Sequence, residues 1–486
     1  MLAKIKTVSF LGIEVLEITV EVHIGNGLPF FTIVGLPDKN ISEAKDRIRA
    51  AFNVLGVSLP AKRITVNMSP ANIQKEGSHY DLPIAIGILV AMGTISQDLV
   101  NNWLIIGELS LDGGINNTKG SLLASIFANS KNYTLICSTK SSYEVQLTGN
   151  KNVLIFQNLT EIIGYQNGGG SYLLDDYELR KQEEKFEIDM SDIEGQTIAK
   201  RILEIAAVFR LNVLMIGQPG IGKSMLAKRL ITILPPLTPS EILEINMIYS
   251  IAENTSKQDF FAVPYRDPHY STTLAALIGG GTKAQPGEVT LAHKGVLFLD
   301  ELGEYTKVLE GLRQCMEDKK VTIARANKHI QYPADCQIIA AMNPCKCGYL
   351  NTEKQCKKAP QCSENYKNNI SGPLLDRFDL IFYLENENHL KEEKRETSEE
   401  IRNRVIKARE LYYELYQKQF EEILFEEIKA EKEAINLINQ YCDKKKLSKR
   451  VRNKTFKTAL VISLLENSKE IKTKHMLEAT MYRANF

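Results

Sequence analysis

The segment that most restricts how this chain can fold is a glycine-rich stretch, which reads Gly217-Gln218-Pro219-Gly220-Ile221-Gly222-Lys223-Ser224. An apolar run over 212–216 precedes it, and a helix-like run over 225–233 follows it. A strand, a glycine-rich loop ending in Lys-Ser and a helix form, in this order, a cradle whose backbone N–H groups surround phosphates. We therefore expect Lys223 to reach the β- and γ-phosphates of a nucleotide and the hydroxyl of Ser224 to hold Mg²⁺.

Length and composition indicate a globular protein with several domains. The 486 residues exceed the ~250 to 300 residues that one hydrophobic core serves, so we expect two or three domains. Lys and Arg (60) nearly cancel Asp and Glu (59), so affinity for nucleic acid requires a local basic patch. The N-terminus lacks the apolar run of a signal peptide, and no stretch approaches the ~18 apolar residues of a membrane helix. We expect a cytoplasmic protein without a membrane segment.

Changes of pattern along the chain predict three domains and a linker. Residues 1–166 combine strands of alternating hydrophobicity with a helix-like stretch over 41–55, which is typical of an α+β domain; in the strand pattern near the start, one face carries Leu16, Ile18, Val20 and Val22. The glycine-rich and charged stretch 167–186 predicts a linker. Over 187–386, helices alternate with short buried strands at 212–216, 295–299 and 337–341, which predicts an α/β core with a parallel sheet. Residues 387–486 show only helical patterns, which predict a small lid, and one helix face there carries Ile401, Val405, Ala408 and Leu411.

Two acidic residues, Asp300 and Glu301, follow the predicted strand that ends at Leu299. Ligands of open α/β sheets bind at the carboxyl ends of the strands. We expect Asp300 to belong to the Mg²⁺ shell and Glu301 to orient and polarise the attacking water. An Asp-Glu pair by itself is typical of a solvated turn, but here it follows a phosphate loop at a strand end.

Two further polar residues are candidates for the same chemistry. Asn343 comes directly after the third predicted strand, where its amide could reach the γ-phosphate, although asparagine there is also common in turns. Arg377 follows a Gly-Pro turn within 371–379, which suits an arginine offered to the nucleotide of a neighbouring subunit. The pattern around Arg377 alone also fits a surface ion pair.

Four of the eight cysteines cluster: Cys345, Cys347, Cys356 and Cys362. Four thiolates so close in sequence could complete a tetrahedral Zn²⁺ site with no position open for catalysis. The spacing differs from the two C-x₂-C pairs that would be a strong zinc signal, so free thiols remain the alternative.

Candidate contacts to nucleic acid lie in basic loops. The stretch 319–332 predicts a hairpin with Lys328 at its tip, and Lys283 lies in another loop. Lysine binds a phosphate backbone as a point charge without reading sequence, so both lysines are candidates for DNA contacts. The alternative is that both are solvated surface lysines. A second basic stretch, 443–454, could instead face nucleotide.

Several long motifs in one order give the chain a resemblance to the magnesium-chelatase-like AAA+ ATPases, and among these to the YifB/ComM group. Besides the phosphate loop and the strand ending in Asp300 and Glu301, they are Asp192-Ile193-Glu194-Gly195-Gln196, Tyr265-Arg266-Asp267-Pro268-His269, Pro286-Gly287-Glu288, Asn343-Pro344-Cys345-Lys346-Cys347-Gly348 and 371–379. The resemblance implies an AAA+ P-loop core, ATP with Mg²⁺ and a homohexameric ring. It also implies that Asn343 is the nucleotide sensor, Arg377 the arginine finger acting in trans, and Arg450 the lid sensor. The chain departs from the group at 459–465, where relatives carry A-R-T-I-A-D-L.

The N-terminal part resembles the Lon-protease-like (S5-type) fold. The matching segments are 75–81 and 107–113. Counting along them places His79 at the position of the nucleophilic serine and Leu122 at that of the lysine base. Ser78 lacks an obvious lysine base, and a serine without a base is a weak nucleophile. We therefore expect a domain without protease activity.

Two function classes follow from this resemblance. The preferred one is a hexameric ATP-driven DNA motor of the helicase or branch-migration type, acting on single-stranded or branched DNA in recombination or natural transformation. The alternative is a metal-insertion ATPase subunit like that of magnesium chelatase. The extra N-terminal domain favours the DNA motor in this comparison, because the chelatase motor subunit normally lacks it.

Overall fold

The computed structural model describes residues 2–166, 168, 173, 186–252, 260–281, 284–305, 308–325, 328–350, 356–385 and 395–483, without the side chains of Arg325 and Lys328. The chain divides into two compact units. The first consists of Met1–Gln182 with Pro239–Phe260, and the second of Glu183–Thr238 with Phe261–Phe486. Most of the predicted linker 167–186 lies outside the described residues.

A seven-stranded mixed sheet forms the centre of the first unit. Its order is β3-β4-β2-β1-β5-β8-β9, and a small hairpin, β6-β7, lies beside it. The predicted alternation in β2 is confirmed, because Ile18, Val20 and Val22 are all fully buried. The strands are β1 (Leu2–Leu11), β2 (Glu14–Gly25), β3 (Phe30–Val34), β4 (Arg63–Ser69), β5 (Trp103–Ile105), β6 (Glu108–Leu109), β7 (Ile115–Asn116), β8 (Thr134–Ser138) and β9 (Val153–Phe156).

Helices cover this sheet. The predicted helix over 41–55 is confirmed and begins two residues earlier, at Lys39, where the side chain of Asp38 caps it by accepting a hydrogen bond from the N–H of Ile41 (2.8 Å). The next long helix is apolar along its whole length, and all eleven of its residues are buried. The helices are α1 (Lys39–Val54), α2 (Asp81–Ala91), α3 (Gln97–Val100), α4 (Ser121–Ser130), α5 (Ser142–Gln146) and α6 (Leu159–Gln166).

A parallel five-stranded sheet forms the centre of the second unit, in the order β11-β14-β17-β10-β18. Its strands are β10 (Val213–Gly217), β11 (Tyr265–Arg266), β14 (Val296–Leu299), β17 (Gln337–Met342) and β18 (Leu380–Leu384). This confirms the predicted parallel α/β core and its three central strands. Since all five strands run the same way, the residues after β10, β14 and β17 meet at one edge of the sheet.

Helices and two hairpins surround the parallel sheet. The predicted helix over 225–233 is confirmed as α8, and the predicted hairpin over 319–332 as β15 and β16. The helices of this part are α7 (Thr197–Val208), α8 (Lys223–Ile233), α10 (Leu274–Ile278), α11 (Glu288–Leu291), α12 (Leu309–Asp318), α13 (Gln361–Lys367) and α14 (Gly372–Leu375). The hairpin strands are β12 (Gly279–Gly280) with β13 (Gln285–Pro286), and β15 (Lys320–Arg325) with β16 (Lys328–Pro333).

One helix of this stretch, α9 (Pro239–Ile251), belongs to the first unit. It contacts α4, and the carbonyl of Ser250 accepts a hydrogen bond from the N–H of Gly120 (2.8 Å). The sequence pattern did not predict that a piece of 187–386 packs away from the parallel sheet.

The C-terminal part is helical, as predicted, and consists of α15 (Ser398–Tyr416), α16 (Lys432–Lys445), α17 (Lys449–Leu465) and α18 (Thr473–Met481). The predicted inner face of α15 is confirmed, because Ile401, Val405 and Ala408 are buried. These helices pack on α7, where Phe209 stacks on Phe420 with ring centroids 4.1 Å apart. Among the helices of the described ranges, none combines the length and the apolar character needed to cross a membrane.

Candidate nucleotide site

The predicted phosphate loop connects β10 to α8 at the edge where the parallel strands end. Gly220 (φ 79°) and Gly222 (φ 98°) have positive φ, a conformation that residues with a Cβ adopt only under strain. Gly222 is the N-cap of α8, so the helix begins at Lys223. Unpaired N–H groups of a helix N-terminus attract anions, which fits the predicted phosphate contact.

Lys223 lies inside this loop and is only 8% exposed. Its ammonium donates hydrogen bonds to the carbonyls of Gly217 (2.7 Å) and Gln218 (3.0 Å) and to Oδ1 of Asn343 (3.0 Å). Burial lowers the pKa of Lys223, while the charges of Asp300 and Glu301 act in the opposite direction. The structure therefore brings together the predicted phosphate-binding lysine and the predicted sensor, which follow neighbouring strands.

The predicted magnesium residues also meet. The hydroxyl of Ser224 donates a hydrogen bond to Oδ2 of Asp300 (3.0 Å), and Oδ1 of Asp300 accepts one from the N–H of Glu301 (2.9 Å). Glu301 has a φ of 53°, which is strained for a glutamate and is a feature that clusters at functional sites. A short 3₁₀ helix, Leu302–Glu304, follows it.

Sequence reasoning missed a further acidic residue near this pair. Asp267 follows β11, the neighbour of β14, and its pKa is raised by burial and by the charge of Asp300. Burial also raises the pKa of Tyr265, whose hydroxyl has no hydrogen-bond partner within the described ranges. Carboxylates concentrated at neighbouring strand ends suit a hard divalent cation. The only signal in the sequence was the motif 265–269, to which no role was given.

The same motif is tied to the motif 286–288 by a two-pronged ion pair. Nε and Nη2 of Arg266 donate to the two carboxylate oxygens of Glu288, at 2.5 and 2.8 Å. A bidentate pair of this kind fixes direction as well as distance. It therefore holds the segment that carries Asp267 in place.

The two predicted arginines, Arg377 and Arg450, meet at Glu317, near the end of α12. Nη2 of Arg377 lies 2.5 Å from Oε2 of Glu317, and Nη1 of Arg450 lies 2.6 Å from Oε1. Arg377 is only 4% exposed, and its Nη1 also donates to the carbonyl of Pro373. For the residues that the structure describes, its Nε has no partner. Nothing in the sequence pattern pointed to Glu317.

The four predicted zinc ligands converge. The Sγ atoms of Cys345, Cys347 and Cys362 lie within 4.8 Å of one another, and Sγ of Cys356 lies 3.3 Å from that of Cys362. Cys345 and Cys347 are separated by 3.0 Å between their Sγ atoms. All four are free thiols in the structure.

Comparison with known proteins covers nearly the whole chain. Three family models match: "Subunit ChlI of Mg-chelatase" over 20–141, "Magnesium chelatase, subunit ChlI" over 189–392, and "Magnesium chelatase, subunit ChlI C-terminal" over 395–483. Competence protein ComM of Haemophilus influenzae is 37% identical, with 98% of this chain and 96% of ComM covered. The YifB proteins of Salmonella typhimurium and Escherichia coli are each 36% identical, with 99% of this chain and 97% of each relative covered.

The chain belongs to the YifB/ComM family of magnesium-chelatase-like proteins. Membership supports an ATPase of this family, with ATP and Mg²⁺ as its cofactors, and the parallel sheet fits an AAA+-type core. In this YifB/ComM chain, the departure at 459–465 falls in α17, where 459–464 are all buried. Apart from Ser463 these side chains are apolar, and they form part of the interior of the C-terminal helical part.

The predicted DNA contacts of this YifB/ComM protein cannot be placed at the side-chain level. Lys328 begins β16, where it pairs with Arg325 across the hairpin, and its side chain lies outside the described atoms. Lys283 lies outside the described residues altogether.

The positions compared with Lon-type proteases lie in the first unit. His79 is buried, its Nε2 lies 2.9 Å from the carbonyl of Val8, and burial lowers its pKa to about 4. Leu122 is fully buried in α4. Both residues therefore have the environment of core residues: His79 has a neutral imidazole that faces a carbonyl, and Leu122 has a buried apolar side chain.

Proposed function

We propose that this YifB/ComM protein is an ATP-hydrolysing DNA motor that works as a homohexameric ring, of the helicase or branch-migration type, in recombination or natural transformation. One observation carries the proposal. Lys223 contacts Asn343 and Ser224 contacts Asp300 at one sheet edge, in a chain that resembles a competence protein over 96% of that relative's length. The resemblance at this length is what favours DNA as the substrate.

The nucleotide chemistry of the proposal follows from the contacts. Lys223 now donates to three oxygen atoms of its surroundings. An ammonium has three donors, so bound phosphate oxygens would replace some of these acceptors. Ser224 and Asp300 would hold Mg²⁺, and Glu301 would orient the attacking water. Asn343, already bonded to Lys223, would sense the γ-phosphate.

The ring of the proposal needs residues that reach a neighbour's nucleotide. Arg377 is the proposed arginine finger, and Arg450 the proposed lid sensor. Both bind the carboxylate of Glu317, so Arg377 has to exchange that carboxylate for a phosphate of the neighbouring subunit. An arginine forms similar charge-assisted pairs with carboxylate and phosphate, which makes the exchange chemically reasonable.

The proposed DNA contacts are Lys328 and Lys283. The antiparallel hairpin β15–β16 carries Lys328 beside its turn, so the hairpin would present a positive charge to a phosphate backbone. We further propose a structural Zn²⁺ at Cys345, Cys347, Cys356 and Cys362. The first unit is proposed to be a Lon-like domain without protease activity, in agreement with the packing of His79.

A metal-insertion ATPase is the second candidate, since all three matching family models carry the name of a magnesium chelatase subunit. The N-terminal domain does not separate the candidates as expected from the sequence. Residues 20–141 match a model that is itself described as "Subunit ChlI of Mg-chelatase". The choice therefore rests on DNA dependence, which can be measured.

The test is ATP hydrolysis with and without forked or four-way DNA. We expect stimulation by DNA in the wild type, and loss of stimulation and of strand displacement in Lys328→Ala, with the salt slope of DNA binding reduced by about one. Lys320→Ala, at the exposed base of the same hairpin, is the matched control and should behave as wild type. A protein that shows no DNA affinity at low salt and no stimulation by any DNA form would refute the motor and favour metal insertion.

A further inference from the structure

The cysteine cluster lies in an excursion of the chain that leaves and re-enters the nucleotide site. We call its two described parts, 344–350 and 356–367, the cysteine knuckle. The first part continues directly from Asn343, whose Oδ1 accepts the hydrogen bond from Lys223 (3.0 Å). Cys345, two residues after Asn343, is fully buried. The first part of the knuckle therefore begins inside the site.

The first part also packs on the phosphate loop. The N–H of Gly348 donates to the carbonyl of Cys345 (2.9 Å), which closes a tight turn between Cys345 and Gly348. A Cβ added to Gly348 would lie 2.7 Å from Cγ of Pro219, the proline of the loop. The backbone at Gly348 is thus in direct contact with Pro219, with no space for a side chain.

The second part packs on the turn that follows Glu301. Tyr366, on α13, is 4% exposed, and a Cβ added to Gly303 would lie 2.5 Å from Cζ of its ring. The amide of Asn369 donates to the carbonyl of Gly303 (3.1 Å). Gly303 comes two residues after Glu301, so α13 and Asn369, two residues beyond its end, support the backbone that positions Glu301.

Besides the thiols, a hydrogen bond joins the two parts. The hydroxyl of Ser363 donates to the carbonyl of Pro344 (2.7 Å). Each part carries two of the four cysteines. The sulfurs of the two parts lie close together, because Sγ of Cys362 lies within 4.8 Å of the Sγ atoms of both Cys345 and Cys347. A group bound by all four sulfurs would therefore connect the Pro219 side of the site to the Gly303 side.

We infer that Zn²⁺ bound by Cys345, Cys347, Cys356 and Cys362 is a brace of the ATP site, which holds Asn343, the phosphate loop and the turn after Glu301 in one arrangement. The expected effect of zinc on ATP turnover rests on the proposed function. Four thiolates leave no open coordination position, so the metal has a structural role. Tetrahedral zinc with Zn–S distances of ~2.3 Å places its sulfurs about 3.8 Å apart. The observed separations of 3.0 and 3.3 Å are somewhat shorter than that value, and the sulfurs of Cys345, Cys347 and Cys362 all lie within 4.8 Å of one another, close enough to share one ion.

Two alternatives fit the geometry less well. A disulfide requires an S–S distance of ~2.05 Å, which is far shorter than the observed separations. Four unconnected thiols would leave a short excursion without the cross-link that small segments lacking their own hydrophobic core usually need. Zinc is the metal that a closed four-thiolate site selects, through soft sulfur ligands and tetrahedral geometry.

If zinc is a brace, its removal should change both the local contacts of the ATP site and the rate of ATP hydrolysis. Without the metal the two parts of the knuckle separate, and Pro219 and Gly303 lose the contacts that Gly348 and Tyr366 provide. Displacement of a catalytic group by about 1 Å can reduce the rate on the order of 10²-fold. We therefore expect the zinc-free protein to lose about 10²-fold in kcat and to show faster amide hydrogen exchange in the peptides that contain Pro219 and Gly303.

The experiment compares Cys362→Ser with Cys442→Ser, a control that removes a lid cysteine outside the cluster. Metal content is measured by mass spectrometry of the purified full chain, together with hydrogen exchange and ATP turnover. Wild type and Cys442→Ser should carry one zinc per chain, and Cys362→Ser none, with faster exchange in the peptides that contain Pro219 and Gly303. Gly348→Ala keeps all four thiols, so it should keep the zinc yet show faster exchange in the peptide that contains Pro219, even if Cys362→Ser fails to fold.

The outcomes separate the brace from the proposed function. Wild-type protein without zinc, or loss of zinc with unchanged exchange at both peptides, would overturn the inference whatever the ATPase activity. Zinc in the wild type together with the expected exchange changes, but no ATP hydrolysis under any condition, would support the brace and contradict the proposed function.

Discussion

Glu317→Gln tests whether the contact of Arg377 and Arg450 with one carboxylate stabilises the second unit. The substitution keeps the size of the side chain and removes its charge. Arg377 is 4% exposed, whereas the side chains of Arg450 and Glu317 are 43% and 40% exposed. The two ion pairs therefore differ in environment, and each contributes differently to the free energy of unfolding.

The magnitude follows from these exposures. The Arg450 pair is solvated and is worth ~0 to 1 kcal/mol. Removing one partner of a fully buried pair costs ~3 to 5 kcal/mol, because the remaining charge stays uncompensated. Glu317 is partly solvated, so water replaces some of its interaction with Arg377 and the cost falls well below that range. We expect a total loss of about 2 kcal/mol, which lowers the Tm by about 4 °C for a unit of this size.

The assay is thermal denaturation of the full chain, followed by circular dichroism. Glu310→Gln is the matched control, because Glu310 lies on the same helix and pairs with Arg313 at 2.8 Å, with side chains 70% and 37% exposed. The control should change stability by less than about 0.5 kcal/mol. An equal Tm for the two variants would refute the reasoning, since it would mean that the buried Arg377 does not depend on Glu317.

The pH dependence of stability gives a second test of the same contact. Hydrogen bonds from Arg377 and then Arg450 lower the pKa of Glu317 to about 2 from its usual 4.5. A lowered carboxyl pKa contributes stability above the unfolded value, and that contribution is lost as the pH falls through the folded value. The difference in stability between wild type and Glu317→Gln should therefore be constant at neutral pH and shrink as the pH falls from about 4.5 towards 2.

Two further predictions concern the chemistry. Lys223→Ala should abolish binding or turnover of ATP, whereas Glu301→Gln should keep ATP bound and block hydrolysis, as measured by fluorescent-nucleotide binding and phosphate release; equal loss of binding in both would contradict their assigned roles. Arg377→Ala should keep nucleotide affinity and reduce hydrolysis by ~10³- to 10⁵-fold. Mixed with Glu301→Gln it should regain some activity, and no recovery at any mixing ratio would argue that Arg377 acts in cis.

The parts of the structure that depend on near neighbours in sequence could be predicted. The strand, loop and helix around Lys223 form where the apolar run, the glycines and the Lys-Ser pair are adjacent in the chain. The acidic pair was predicted for the same reason, because an apolar strand ends directly before it. Periodicity likewise predicted the buried face of α15, since that face depends on residues one turn apart.

Contacts between distant residues could not be predicted in this way. Arg450 and Glu317 are 133 residues apart, and neither belongs to a pattern that includes the other. The contact of Gly348 with Pro219 depends on how two loops pack, and local sequence says nothing of that. Nor did periodicity indicate that α9 packs with the first unit, because a helical pattern does not specify which surface the helix covers.

The order of the strands explains how the site is assembled from parts that the sequence shows only separately. β17 lies between β14 and β10, although it follows both in the chain. This insertion puts Asn343 beside Lys223 and leaves Asp300 within reach of Ser224. The excursion that follows Asn343 then starts next to the phosphate loop and ends, at Tyr366, against the turn after Glu301. A group that tightened this excursion would therefore act on both sides of the nucleotide site, which is the role that we propose for zinc at the four cysteines.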